Sequence, residues 1–363
     1  MTDDTQHIRL VLPGPVEVRR DILDAQTRWM VGHRTADFSD LFARVEGKLR
    51  QAFLTAHPVI VSTSSGTGLW EGASRNGIRD DRRALHLVNG AFSERWARVS
   101  QANGKQVEVV EVPWGQAITA QQVAEALRRG HYDAVCVVHN ETSTGVINPI
   151  REIAEAVRQH DETLFMVDCV SSFLGAELRV DDWGIDVALT SSQKAFALPP
   201  GLSFAAISPR VLDRARQIPH RGYYFDFLEL VEWVGKNNTP STPAISLIYA
   251  ADRQLDDVLA EGLDNRWARH LRLREMAHAW AAQHGFGLFA QEGYRSPTVT
   301  AVANSRGMDT QALAAFMLGR GFAIDTGYGP LKGQTFRIAH MGDMSETMLQ
   351  EVLDGLSIFV AGD

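Results

Sequence analysis

Between residues 57 and 207, seven short apolar runs alternate with segments of helical period. The runs cover residues 58–61, 84–88, 107–112, 134–138, 164–167, 187–189 and 202–207, with amphipathic stretches such as 120–129 and 150–159 between them. The runs are largely continuous rather than alternating, so each predicts a strand covered on both faces. Strand–helix repetition in turn predicts a mainly parallel seven-stranded sheet with its ligands at the carboxyl ends of the strands. The polar residues of greatest interest follow those runs: Ser64 to Thr67, Asn89, His139 to Thr144, Asp168 and Lys194.

A chain of 363 residues exceeds one compact core, so two domains of unequal size are expected. After about residue 243 the texture changes. A long helical tract over 244–283 precedes strand-like 298–302, a helix over 311–318, strand-like 335–338 and a last helix from Ser345. The expected division is an N-terminal arm (1–20), a large domain (21–245) and a smaller C-terminal α+β domain (246–363). A net charge of −8 gives no drive toward nucleic acid or an anionic membrane. No apolar stretch approaches the roughly 20 residues that span a bilayer. The start, MTDDTQHIRLVLPGP, has neither the basic nor the apolar region of a signal peptide. Cys136 and Cys169 sit in or beside buried runs without CxxC spacing, which argues against a disulfide scaffold or zinc site and fits a cytoplasmic setting. No metal is expected.

Lys194 ends the polar turn Ser191-Ser192-Gln193-Lys194 after one strand, and Asp168 ends another. An amine and a carboxylate at two strand ends form the pairing that pyridoxal 5′-phosphate requires. The lysine forms a Schiff base with the aldehyde, and the aspartate keeps the pyridine nitrogen protonated. Ser64-Ser65-Gly66-Thr67-Gly68 lies between a strand and a helix. Its small residues and the helix N-terminus suit a phosphate; a plain Ser/Thr-capped turn is the alternative. It is neither a Walker loop nor GxGxxG. Phe92 is placed either to stack on a flat ring or to fill the core. Six consecutive polar residues, His139 to Thr144, are unusual after a buried strand unless they line a site. Within them Thr142 suits the cofactor's phenolic oxygen and His139 suits support of the ring. Gln193 is within reach of the phosphate or ring. Arg337, flanked by apolar residues in a strand, requires a matched charge: a substrate carboxylate or a structural salt bridge. The segment Asn238-Thr239-Pro240-Ser241-Thr242-Pro243 is either a helix cap or a donor of a hydroxyl to a partner subunit's phosphate.

Taken together, LVLPGPVEV, GHR, SSGTG, VNGAF, HNETSTGVINP, VDCVSS, TSSQKAFALPPG, NNTPSTPAIS and FRIAHMGD resemble the class V aminotransferases of pyridoxal-phosphate fold type I. The resemblance runs nearly end to end and is closest to the alanine–glyoxylate, serine–glyoxylate and serine–pyruvate branch. It implies Lys194 as the Schiff-base lysine, Asp168 as pyridinium partner, and Ser65, Gly66, Thr67 and Gln193 around the phosphate. It further implies Thr142 near the ring oxygen, Arg337 on the substrate α-carboxylate, and a homodimer in which Thr239, Ser241 or Thr242 crosses to the partner's phosphate. Phe92 occupies the stacking position where some relatives carry tryptophan. The implied activity is amino transfer from alanine or serine to glyoxylate or pyruvate. A 2-aminoethylphosphonate aminotransferase and a cysteine desulfurase or lyase are the rival enzymes on this fold. A non-catalytic relative is disfavoured because both Lys194 and Asp168 are present.

Overall fold

The computed structural model describes residues 7–362, so residues 1–6 of the expected N-terminal arm lie outside the described residues. In chain order the strands are β1 (Arg9–Val11), β2 (Val59–Ser62), β3 (Arg83–Val88), β4 (Gln106–Glu111), β5 (Ala134–Val138), β6 (Asn140–Glu141) and β7 (Val146–Ile147). They continue as β8 (Leu164–Asp168), β9 (Val187–Ser191), β10 (Ser203–Ile207), β11 (Val299–Ala303), β12 (Phe322–Ile324) and β13 (Thr335–Ala339). The seven predicted apolar runs are the seven strands of one sheet, ordered β2-β10-β9-β8-β5-β3-β4. All run the same way except β10, which is antiparallel to both neighbours. Every residue of β2, β5, β8, β9 and β10 is buried, as strands covered on both faces must be.

The crossover helices form for local reasons as well as packing ones. In the helix Ala120–Arg129, Thr119 and Gln122 make a capping box, and Arg128 and Arg129 sit at the negative end of the helix dipole. Its buried stripe is Val123, Ala126 and Leu127. Parallel order sends β2, β3, β5, β8 and β9 to a common edge, and the reversed β10 begins there, with Ser203 opposite Ser62 and Ser191.

One feature departs from the sequence reading. The tract 244–283 is not one helix but two, Ile245–Glu261 and Leu263–Gln283, broken at Gly262. Gly262 has φ +81°, a left-handed conformation that ends the first helix. Within the expected N-terminal arm, β1 pairs in parallel with β12, Arg9 opposite Phe322 and Val11 opposite Ile324. Val11 packs in a second apolar cluster with Leu273, Trp280, Phe286, Phe336 and Leu353, apart from the large cluster around the sheet. Among the described residues no helix is long and apolar enough to cross a membrane.

Candidate active site

The turn after β9 is tied down by backbone bonds from Ser192 to Leu202 (2.9 Å) and from Leu198 back to Ser192 (3.0 Å). It carries Lys194 to the sheet edge, where the lysine Nζ donates to the carbonyl of Pro13. The turn at Gly14 lies directly on the lysine side chain. A Cβ on Gly14 would stand 2.4 Å from Lys194 Cδ and 2.5 Å from Nζ, and its φ of +126° favours glycine as well. This Pro13–Gly14 cover was not foreseen from sequence, although the LVLPGPVEV motif contained it. Burial lowers the Lys194 amine to about 8; the Arg337 cation pushes the same way, and Asp168 and Asp325 oppose it.

Asp168 ends β8, opposite Val138 on one side and Leu189 on the other. Its carboxylate is buried and accepts two hydrogen bonds, from Trp70 Nε1 to Oδ2 (2.7 Å) and from the Val170 N–H to Oδ1 (2.6 Å). Burial pushes its pKa up to about 7, and the two donors pull it down.

A third part is the start of the helix Gly66–Gly77. Ser65 precedes it in extended conformation with no side-chain cap, so the first N–H groups keep their capacity for an anion. The side chains of Ser65 and Thr67 are exposed, whereas Ser64 is structural, its Oγ 2.6 Å from Ser203 Oγ. A Cβ on Gly66 would come within 2.7 Å of Val170 Cγ2, so only glycine lets the helix start and the residue beyond Asp168 meet this closely. The buried Ser191 Oγ, without a partner among the described residues, lies 3.7 Å from that point. Gln193 is half-buried in the Lys194 turn, and its carbonyl accepts from Val16 N–H (3.1 Å).

The fourth part is aromatic and cationic. Lys194 Nζ lies 5.9 Å from the Phe92 ring centroid, and Tyr328 lies against the same ring at 5.1 Å. Arg95 Nη2 donates to the Tyr328 hydroxyl (2.5 Å). Arg337 is buried in β13; its Nε donates to Asp325 Oδ1 (2.7 Å) and its Nη1 to the Thr142 carbonyl (2.9 Å). The salt bridge foreseen as one alternative is therefore present, with Asp325, and Nη2 makes no hydrogen bond among the described residues. Thr142 Oγ1 is paired with Ser171 Oγ (2.6 Å). Asp325, Trp70, Val170 and Tyr328 escaped the sequence reading because each gains its position only through tertiary contact.

Most of the polar run His139 to Thr144 is explained by internal bonding rather than by lining a site. Glu141, fully buried, accepts from the Ser93 N–H (2.9 Å) and Ser93 Oγ (2.9 Å) at the start of the helix Ala91–Ala102, and from Ser143 Oγ (2.6 Å). Its charge is matched by the helix N-terminus. Asn140 Nδ2 donates to Thr298 Oγ1 (3.0 Å). His139 is buried and held neutral, its pKa lowered by burial to about 3.

In the segment 238–243, Thr239 is buried and its hydroxyl donates to the Ser241 carbonyl (2.8 Å). Arg34, from the GHR motif, fastens this segment by donating to Asn238 Oδ1 (2.6 Å) and to the carbonyls of Thr239 (2.6 Å) and Pro240 (2.9 Å). Ser241 and Thr242 are exposed. The exposed hydroxyls of this segment are thus those of Ser241 and Thr242, and Thr239 serves the turn.

A lysine and a buried carboxylate at neighbouring strand ends, beside an uncapped helix N-terminus with two free hydroxyls, match a planar phosphorylated aldehyde in both charge and chemistry. This fold and site define the pyridoxal-phosphate-dependent transferases of fold type I. The family model "Aminotransferase class-V" matches residues 18–334. An L-aspartate–glyoxylate aminotransferase of Paracoccus denitrificans is 33% identical over 347 residues, covering 93% of this chain and 87% of that one. A serine–glyoxylate aminotransferase of Arabidopsis thaliana is 32% identical over 363 residues, covering 97% and 90%. The crystal structure of an alanine–glyoxylate aminotransferase from Nostoc sp. superposes with a TM-score of 0.93 at 28% identity, covering 99% and 97%. The chain belongs to the class V aminotransferases, and its cofactor is pyridoxal 5′-phosphate.

Proposed function

We propose that this aminotransferase moves the amino group of a small amino acid, alanine or serine, to glyoxylate, with pyruvate as the second acceptor. The observation that carries the reading is Lys194, its amine lowered to about 8, set at the sheet edge between Asp168, Phe92 and Arg337. The glyoxylate assignment is supported by the names of the three relatives, which share that acceptor and differ in donor. Asp325 supports a neutral donor side chain: its carboxylate beside Arg337 disfavours a second carboxylate on the substrate. Cys136 and Cys169 are buried and burial holds both thiols protonated, which speaks against a desulfurase. The same two free thiols fit a cytoplasmic enzyme.

When bound, pyridoxal phosphate supplies an electron-accepting ring that acidifies the donor's Cα–H and carries the amino group between substrates. Lys194 would hold the cofactor by its aldehyde and would take and return the donor's Cα proton. Its lowered pKa leaves a useful fraction neutral near pH 8, where it can accept that proton. Asp168 would accept from the ring N–H. Ser65, Gly66, Thr67 and Gln193 would hold the phosphate, Phe92 and Val170 would pack against the ring, and the Thr142 hydroxyl would serve the ring oxygen. Arg337 holds the α-carboxylate, and the Pro13–Gly14 turn keeps water from the lysine. The deciding experiment follows cofactor absorbance as alanine, serine and aspartate are each added to the holoenzyme, then restores it with glyoxylate or pyruvate. Faster loss of the absorbance band with aspartate than with alanine or serine would overturn the donor assignment.

Arg337→Lys keeps the charge and loses the planar fork. Catalytic efficiency is expected to fall about 10²-fold for alanine and serine alike, roughly 2.7 kcal/mol, with the cofactor retained. Asp325→Asn, by contrast, is expected to raise the efficiency with aspartate relative to alanine about fivefold or more. Steady-state kinetics on the two donors checks both. An Arg337→Lys enzyme with normal kinetics and a lowered melting temperature would return Arg337 to a purely structural salt bridge.

The working form we propose is a homodimer, each site completed by a hydroxyl from the other chain. Support comes from Trp29, 95% exposed, and Tyr223, 90% exposed, large apolar groups that a second chain would cover. Tyr224, the chain neighbour of Tyr223, shares a cleft with Thr239 to Pro243, and the Trp29 carbonyl accepts from Tyr249 (3.1 Å) in the helix that follows this segment. Thr242→Val is expected to weaken cofactor retention about tenfold on dilution, and Thr239→Val to lower stability with little effect on retention. Sedimentation with cofactor release measured in parallel checks this; a loaded, active monomer at assay concentration would end it.

A further inference from the structure

We infer that Trp70 is a positioning residue for Asp168: its indole N–H holds the carboxylate in the orientation that meets the cofactor's pyridine nitrogen. The inference rests on the assignment of Asp168 proposed above and extends it to a side chain that never touches the cofactor ring.

Three observations carry it. First, the contact is short, buried and directional: Trp70 Nε1 donates to Asp168 Oδ2 at 2.7 Å. The opposite oxygen, Oδ1, accepts from the Val170 N–H at 2.6 Å. The carboxylate thus has one side-chain donor and one backbone donor among the described residues, and no cation in contact. A buried carboxylate held by so few donors gains much from each, because each stabilises the charged form in a poorly solvated site.

Second, the two tryptophans of this core are treated differently. Trp70 stacks on Trp96 with ring centroids 6.1 Å apart and planes 11° from parallel, and His86 meets Trp96 edge-on at 5.7 Å. Trp96 is as buried as Trp70, yet its own Nε1 has no partner among the described residues. The stack therefore tolerates an unbonded indole N–H, and packing alone does not require that of Trp70 to reach a carboxylate. The stack also leaves the Trp70 ring little freedom to turn, so its N–H is a fixed rather than an adaptable donor.

Third, Trp70 belongs to the helix Gly66–Gly77, the helix whose N-terminus is the phosphate cradle. One rigid element then serves both ends of the cofactor. Its first residues face the phosphate, and a residue one turn later fixes the acid that faces the ring nitrogen. A cofactor seated by its phosphate is automatically in register with Asp168.

The test separates this role from a packing role. Trp70→Phe keeps a ring against Trp96 and removes the N–H. Replacement of Trp70 by 3-benzothienylalanine, in which sulfur stands for the N–H, keeps the full shape should the phenylalanine variant fold poorly. In the cofactor-free protein the Asp168 carboxyl, followed by carbon-13 NMR, is expected to titrate about one unit higher in either variant. In the holoenzyme, the nitrogen-15 signal of labelled cofactor is expected to show a smaller protonated fraction at pH 8. The half-reaction with alanine should slow about tenfold while the apparent affinity for alanine stays within about twofold. If the isosteric variant leaves the Asp168 titration and the nitrogen signal as in the parent, Trp70 is a packing residue and the inference is wrong. Should Asp168→Asn itself leave the nitrogen signal unchanged, the assignment of Asp168 fails instead, and the two failures are told apart.

Discussion

Lys194→Ala is expected to retain pyridoxal phosphate and lose nearly all turnover, about 10⁴-fold or more. Retention follows from the parts of the site that do not involve the lysine. The uncapped start of the helix Gly66–Gly77, the exposed hydroxyls of Ser65 and Thr67, the Phe92 ring and the Asp168 carboxylate all remain. Turnover fails because no second amine stands at this position to accept the Cα proton. The pH dependence adds an independent check. The amine is held near 8 by burial and by the Arg337 cation, so its neutral, nucleophilic fraction grows as pH rises through that value. Capture of the cofactor aldehyde by the cofactor-free protein should accelerate over the same range, and the slope should vanish in Lys194→Ala. Borohydride labelling at a different lysine, or activity near that of the parent, would remove Lys194 from the mechanism.

For Asp168→Asn, activity and stability are expected to move in opposite directions. The amide cannot hold a proton on the ring nitrogen, so abstraction of the Cα proton should slow about 10³-fold. In the cofactor-free protein the same change removes a buried charge. Burial raises the folded-state pKa of Asp168 to about 7, above the roughly 3.9 of an unfolded aspartate. Between those values the folded state binds more protons than the unfolded one. Asp168 therefore favours folding at pH 4 or below no more than an ordinary aspartate, and its desolvation cost builds up as pH rises through 4 to 7. At pH 8 the whole cost is present, and Asp168→Asn should raise the melting temperature of the cofactor-free protein by about 2–5 °C. At pH 4 the gain should be small. Calorimetry at both values, beside half-reaction kinetics, decides the matter; a less than tenfold kinetic effect would contradict the role of Asp168.

The sheet was legible in the sequence because strands buried on both faces must be apolar without alternation. This is why β5 and its six companions stood out, and why Lys194 and Asp168, the polar residues just past two of them, could be picked out. What lay outside reach was set by contacts between distant segments. The reversed direction of β10 leaves no mark on composition. The three-residue strands β1 and β12 are too short for a period, and Gly262 interrupts a pattern that otherwise reads as continuous helix. Within the site, Asp325 is an ordinary loop aspartate until it meets Arg337, and Trp70 is an ordinary core tryptophan until it meets Asp168. Glu141 shows the opposite case: a polar run that suggested a ligand surface is occupied by capping a helix.

The pairing of β1 with β12 has a consequence for synthesis. Arg9 to Val11 are made before their strand partner, Phe322 to Ile324, with the whole central sheet between them in the chain. Pro13 and Gly14, which cover Lys194, follow directly on β1. While the central sheet is being made, β1 has no strand to pair with, and the cover over Lys194 rests on local contacts such as that of the Val16 N–H with the Gln193 carbonyl. The cover is completed only once residues 322–324 have been made, so a ribosome-bound chain stalled before residue 322 would hold the reactive amine under a less firmly anchored turn.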